Sequence, residues 1–205
     1  AYEMLRSLVG SEMCIRDSYS DVDLTLAGAA LKDVLASKIT ATHTTTLEYT
    51  SGGPDVWDAT KATDENVANT NEVILYYGWE DGNDQDITND ISRSKNLQDN
   101  GSGTDFVWNR EHVFPKSLAN PILDTSTPGP ATDAHHLRAA DRGRNSARNN
   151  RKYGRGSGNS NYSSLDFHEG LDGPNTAAWY PGDDWKGDAA RMIMYMYMRY
   201  GAVCL

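Results

Sequence analysis

The 205 residues suit one domain, or one domain with extensions, and can bury a hydrophobic core. Hydrophobic residues make up 38% and charged residues 23%, an ordinary globular mix, and no run nears the ~20 apolar residues of a membrane span. The net charge of −10 argues against a polyanionic partner for the whole chain, but residues 138–155 hold seven bases and one acid, which makes that segment +6 and the remainder −16. A basic strip on an acidic body is a local anion site. Two cysteines, Cys14 and Cys204, sit near opposite ends, so a disulfide framework and a cysteine-based metal site are excluded.

In chain order, residues 1–18 show no basic n-region followed by an apolar h-region. SLVGSEMCIRDS reads as translated adapter sequence, so 1–18 are set aside as an assembly scar that would hide any export signal. Residues 19–205 are expected to form the domain. Leu24, Ala27, Leu31, Val34 and Leu35 follow helical spacing and predict a core helix capped by Asp23 or Thr25. SGGP at 51–54 marks a turn, and Val73–Trp79 (VILYYGW) reads as a buried strand. Residues 80–103, rich in Asp, Asn, Gly and Ser, read as a surface loop.

The segment 105–117 (DFVWNREHVFPKS) starts as a strand that Pro115 ends. An irregular Pro/Gly loop follows over 118–131, then a second short strand over Asp133–Leu137 and an arginine-rich helix over Arg142–Tyr153. Residues 154–164 read as loop; their Gly-x-Gly lacks a following Gly-Lys-Ser/Thr, so no phosphate-cradling loop is expected. A last helix starts near Asp183 or Asp184, with Trp185, Ala189, Met192, Ile193 and Met196 on one face. The alternating methionines from Met192 to Met198 are read as core packing, because thioethers fill irregular gaps.

The strand–loop–strand–helix order matters for what it carries. Glu111 and His112 are adjacent at the end of the first strand, His136 precedes Leu137, and Asn145 follows nine residues later, early in the helix. Adjacent strand residues point to opposite faces, so Glu111 and His112 share one site only where the strand ends or twists. Phosphodiester hydrolysis needs a base to activate water and a divalent cation on hard oxygen ligands. His112 fits the base, and Glu111 with Asn145 fits the ligands.

On the blocks WNREHVFPKS (108–117), TDAHHLRAADRGRNSARNN (132–150) and KGDAARMIMYM (186–196), the chain resembles the endonuclease I family of bacterial secreted nucleases. That family is a branch of the ββα-metal (His-Me finger) nucleases, and the likeness runs from Tyr19 to Tyr200. It implies an α+β fold with a ββα-metal core wrapped by helices. It implies Glu111 and Asn145 as metal ligands, His112 as general base, and His136 as a buttress of the base-bearing loop. Arg148 matches an arginine three past the metal asparagine, and is assigned with His112 to catalysis. Arg138, Arg142, Arg144, Arg151 and Lys152 are assigned to nucleic-acid binding. The implied cofactor is Mg²⁺, with Mn²⁺ or Ca²⁺ as alternatives.

The implied protein is a secreted or periplasmic monomer that cleaves DNA, RNA or both to 5′-phosphate products with little sequence preference. Many relatives carry proline where this chain has Ala139, an exchange expected to be tolerated. Relatives also continue past the methionine-rich helix, so the chain is read as truncated after GAVCL. The alternative is a catalytically inactive nucleic-acid-binding or structural extracellular domain. His135 is read as structural, and His43 and His168 as ordinary solvent-facing residues.

Overall fold

The computed structural model describes residues 19–101, 106–170 and 173–204; the segment read as a scar lies outside them. The chain divides at Thr45–Thr46 into two compact units. The first contains helix α1 (Gly28–Thr42), in which no residue is buried. The periodicity read for this stretch gives a helix, but not the expected core face. Its cap is Ala27, with no side-chain bond. Asp23 instead accepts from the backbone and hydroxyl of Thr25, at 2.9 and 2.6 Å, in a turn ahead of the helix. His43, at its end, is half-buried rather than solvent-facing.

Among its described residues the second unit is α+β, with three two-stranded antiparallel sheets. Helix α2 (Val56–Thr63) opens on a reciprocal cap: Asp55 accepts from Trp57 N at 2.7 Å and Asp58 accepts from Asp55 N at 3.1 Å. Strand β1 (Glu72–Ile74) pairs with β2 (Ser92–Ser94). The apolar run after Ile74 is buried as expected, but it is not strand. Gly78 N donates to Leu75 O at 3.0 Å, and Tyr77 occupies the third turn position with φ 79°. That left-handed region normally takes glycine and costs other residues roughly 1–2 kcal/mol. The glycine stands one residue later, at Gly78, where a Cβ would lie 2.1 Å from Asp90 O.

Strand β3 (Trp108–His112) pairs with β4 (Leu137–Asp141) in the register Glu111↔Arg138 and His112↔Leu137, and helix α3 (Arg142–Arg148) follows β4 directly. The expected strand–loop–strand–helix order is present with shifted bounds. Residues 134–136 form a 3₁₀ turn before β4, and α3 ends at Arg148 rather than Tyr153. Both faces of β4 are packed: Ala139 enters the cluster of Val73, Leu75 and Trp108, and Ala140 that of Tyr76, Tyr77, Val113 and Trp179. Ala139 N also donates to Asp64 Oδ2 at 2.6 Å, a bond that proline could not make.

Two expected loops contain strands. Residues 80–103 include β2, whose Arg93 is buried. Residues 154–164 run into β5 (Asn161–Gly170), which pairs with β6 (Gly173–Tyr180). Helix α4 (Lys186–Tyr200) begins two or three residues later than read and buries Ala189 and Met196, with Met192 and Ile193 packed beside them. Among the described residues no helix is long and apolar enough to cross a membrane.

Candidate active site

The site forms where β3 ends against the start of α3. Asp141 ends β4 and caps α3: Oδ1 accepts from Arg144 N at 2.8 Å, and Oδ2 accepts from Arg93 Nη1 at 2.6 Å. This fixes the first helical turn, which carries Asn145. Asn145 Nδ2 donates to Asn109 Oδ1 at 2.7 Å. Asn109 and Glu111 alternate onto the same face of β3, so the amide is held on the carboxylate's side of the strand. With its nitrogen engaged, Oδ1 is the atom of Asn145 that remains for a ligand. Glu111, His112 and Asn145 all line one cleft of about 540 Å³, together with Asn109, Arg110, Lys116 and Asn149. The strand's end thus gives adjacent residues access to one space.

Glu111 is 2% exposed. Its Oε1 accepts from Tyr77 Oη at 2.8 Å and from Arg148 Nη1 at 2.5 Å. Two donors fill the lone pairs of that oxygen and leave Oε2 for the cleft. Burial pushes the carboxyl up, and the Arg148 guanidinium opposes the rise. Arg148 is itself 1% exposed. Its other donors reach backbone carbonyls: His112 O at 2.8 Å, Val113 O at 2.8 Å and Arg151 O at 3.0 Å. Burial works against its charge, but Tyr153, Tyr77 and Glu111 around it hold the proton. The guanidinium therefore sits behind Glu111 as a positioning group.

His112 Nε2 lies 2.8 Å from Ala131 O. A carbonyl only accepts, so the ring donates from Nε2 and its lone pair is on Nδ1. Burial, reinforced by His136, pushes the ring's pKa well below its usual range, which favours the neutral form. Tyr49 lies 5.6 Å from its ring centroid and His136 5.5 Å. His136 is fully buried, donates from Nε2 to Pro130 O at 2.9 Å, and its backbone carbonyl accepts from Val113 N at 3.0 Å. Burial lowers its pKa to about 4. Both histidines thus grip carbonyls of one stretch, 130–131, at the end of the excursion between β3 and β4. His135 stacks on Tyr195 at 4.9 Å, away from the cleft lining.

The bases of the segment read as a basic strip are spread over several surroundings rather than gathered along the cleft. Arg138 Nε pairs with Asp64 at 2.6 Å. Arg144 reaches the carbonyls of Thr88 and Ser160 and lies over the Trp79 ring. Arg148 is buried, and Arg151 Nη1 donates to Ala147 O at 2.7 Å. Arg142 approaches Asp99 at 4.0 Å, and Lys152 is exposed and lines a second cavity rather than the cleft. The bases lining the cleft are instead Arg110 and Lys116, neither singled out in the sequence. Arg110 is held over the rings of Tyr49 and Trp57 at 3.5 and 3.8 Å and donates to Tyr49 O and Thr50. Asn109, Tyr77 and Tyr153 were missed as well. Asn109, two residues before Glu111, was the one with a local signal.

A buried, clamped carboxylate, an oriented amide and a histidine around one cleft are groups that could hold a cation and accept a proton. The family profile described as Endonuclease I matches residues 27–205, and the chain belongs to that family, one of nucleases. It is 41% identical over 187 residues to an extracellular ribonuclease of Bacillus subtilis (strain 168), covering 89% of this chain and 55% of that protein. It is also 41% identical over 174 residues to an extracellular ribonuclease of Bacillus amyloliquefaciens, covering 85% of this chain and 50% of that one. The chain therefore spans about half the length of the curated relatives it matches. No solved structure matches it.

Proposed function

We propose that the chain is a divalent-metal-dependent endonuclease of low sequence preference, built on a ββα-metal core of β3, β4 and α3 and acting outside the cell as a single chain. The observation that carries the reading is the orientation of His112. Its Nε2 is committed to Ala131 O at 2.8 Å, in a cleft that Glu111 and Asn145 also line. Nδ1 is left as the basic atom. Glu111 Oε2 and Asn145 Oδ1 are hard oxygens of the kind that Mg²⁺ takes, and they would hold the ion. When bound, it supplies neutralisation of the charge that builds on the phosphate and the departing oxygen.

The chain's own part is proton transfer and positioning. His112 Nδ1 accepts a proton from water as the water oxygen bonds to phosphorus in line. The bond from phosphorus to the 3′ oxygen breaks, and the departing oxygen takes a proton from solvent water, which leaves a 5′-phosphate and a 3′-hydroxyl. Lys116, at the cleft, is the substrate contact in this reading, and Arg148 positions Glu111 from behind. The names of the two Bacillus relatives make RNA a substrate to test beside DNA, and make export the expected fate. Low sequence preference follows from the absence, among the described residues, of an element suited to reading base edges.

The test is a Mg²⁺ titration of cleavage of plasmid and of RNA. His112→Ala should lower turnover by roughly 10²–10⁴, the range of a general base, with the half-saturating Mg²⁺ unchanged. Asn145→Ala should raise the half-saturating Mg²⁺ and be rescued in part by excess metal. Loss of metal affinity in His112→Ala, with full rate at saturating Mg²⁺, would make the histidine a ligand and overturn the assignment.

A further inference from the structure

Tyr77 lies 34 residues before Glu111 in sequence and outside every motif, yet three observations meet on it. Its hydroxyl is 2.8 Å from Glu111 Oε1. That hydroxyl is also 2.6 Å from the Tyr153 hydroxyl. Its backbone holds φ 79°, where a bulky side chain is out of place. Strained residues of this kind persist only where the surroundings over-determine them, and they gather at functional sites. Here Ser160 Oγ donates to Tyr77 O at 2.9 Å and Trp185 Nε1 donates to Gly78 O at 2.8 Å, which pins the turn on both sides.

The proton order in the cluster is determined. The ionised carboxylate can only accept, so Tyr77 donates to Glu111, and Tyr153 must then donate to Tyr77. Chains of this sort strengthen each link by polarisation. Arg148 Nη1, at 2.5 Å, occupies the same oxygen of Glu111. Among the described residues, the donors that reach Glu111 converge on Oε1, which leaves Oε2 as the oxygen for the cleft.

We infer that Tyr77 is a positioning residue that makes Glu111 a one-oxygen ligand, and that it thereby sets which divalent cation the site prefers. The inference rests on the proposed role of Glu111 as a ligand. A small six-coordinate ion such as Mg²⁺ is served by one carboxylate oxygen. Ca²⁺ takes more ligands and readily uses both oxygens of a carboxylate. With Oε1 saturated by Tyr77 and Arg148, the second mode is closed. Removing the Tyr77 hydroxyl reopens one lone pair on Oε1 and favours the larger ion.

The experiment is calorimetric titration of Mg²⁺ and of Ca²⁺ into the full chain without substrate, for the unmutated protein, Tyr77→Phe, Tyr153→Phe and Glu111→Gln. Tyr77→Phe keeps the ring and removes only the donor. It should raise the affinity for Ca²⁺ relative to Mg²⁺ by about tenfold, as the coordination preferences of the two ions imply. Tyr153→Phe leaves the Tyr77 hydroxyl without its own donor and should move the ratio the same way by about twofold. If Tyr77→Phe fails to fold, the Tyr153→Phe ratio decides. A general structural role would weaken both metals together, so an unchanged ratio overturns the inference and leaves the functional reading intact. Cation binding by Glu111→Gln equal to that of the unmutated chain would instead overturn the ligand role itself, and this inference with it.

Discussion

The β3–β4–α3 region and strand β5 of the hairpin differ in where they put charged and apolar side chains. In the first, Glu111, Arg148 and Asp141, with Arg93 of β2 as the partner of Asp141, are all 3% exposed or less, and each is paired within 2.6 Å. In the second, Leu165 and Phe167 are 59% and 61% exposed, and Asp166 pairs with an exposed Arg155. Buried charge is tolerated only where every partner is present, because each ion has lost its water. An apolar side chain left in water carries no such condition. The contrast separates a region that must be complete from one that can vary.

The largest expected effect tests that completeness. Arg148→Ala strips Glu111 of its counter-charge and leaves the carbonyls of His112, Val113 and Arg151 without their donor. It should cost about 3–5 kcal/mol in denaturant unfolding. Arg148→Lys should recover little, since an ammonium cannot span four acceptors in a plane. A loss below about 1 kcal/mol would erase the contrast.

The next concerns pH. His136 is buried and neutral, with its pKa depressed from 6.5 to about 4. The unfolded chain takes up a proton below 6.5 and the folded chain does not until near 4. This contribution to stability is therefore fully present above pH 6.5 and is lost as pH falls from 6.5 to 4. Over that window it amounts to about 3 kcal/mol at most. Melting curves from pH 7 to 4 should show the loss, and His136→Asn should flatten that part of the slope. An equally steep slope in the variant would assign it to other groups.

The smallest effect is expected in the hairpin. Leu165→Ser, at a side chain already in water, should change unfolding free energy by less than about 0.5 kcal/mol. A loss several times larger would show that β5 is covered in solution.

What was legible follows the same division. The β3 end, the α3 start and the face of α4 could be read because their residues act on near neighbours in sequence: Glu111 beside His112, Asn145 just past the cap, Ala189 and Met196 two turns apart. The basic strip could not, because its partners lie far along the chain. Asp64 takes Arg138, the carbonyls of Thr88 and Ser160 take Arg144, and Glu111 takes Arg148. A count of charges carries no information about pairing. Arg93 was hidden in a stretch whose composition reads as loop, although it holds the cap of the helix that bears Asn145. The VILYYGW run was misread as strand throughout because its hydrophobicity reports burial and not the turn at Tyr77. In α1 the error was the reverse, a helical period without burial.

The excursion between β3 and β4 has a consequence for how such a chain can diversify. Val113 N bonds His136 O at 3.0 Å, which closes the excursion at its base as the next rung of the β3–β4 ladder. Its outer part, 124–128, is largely exposed, and the carbonyls that hold the two histidines lie beyond it at 130 and 131. A loop closed at its root pays only the slowly growing entropy of length, about 0.6 kcal/mol per doubling. Foreign peptide sequence can therefore be grafted at 124–128, and natural insertions can accumulate there, with the histidine pair kept in register.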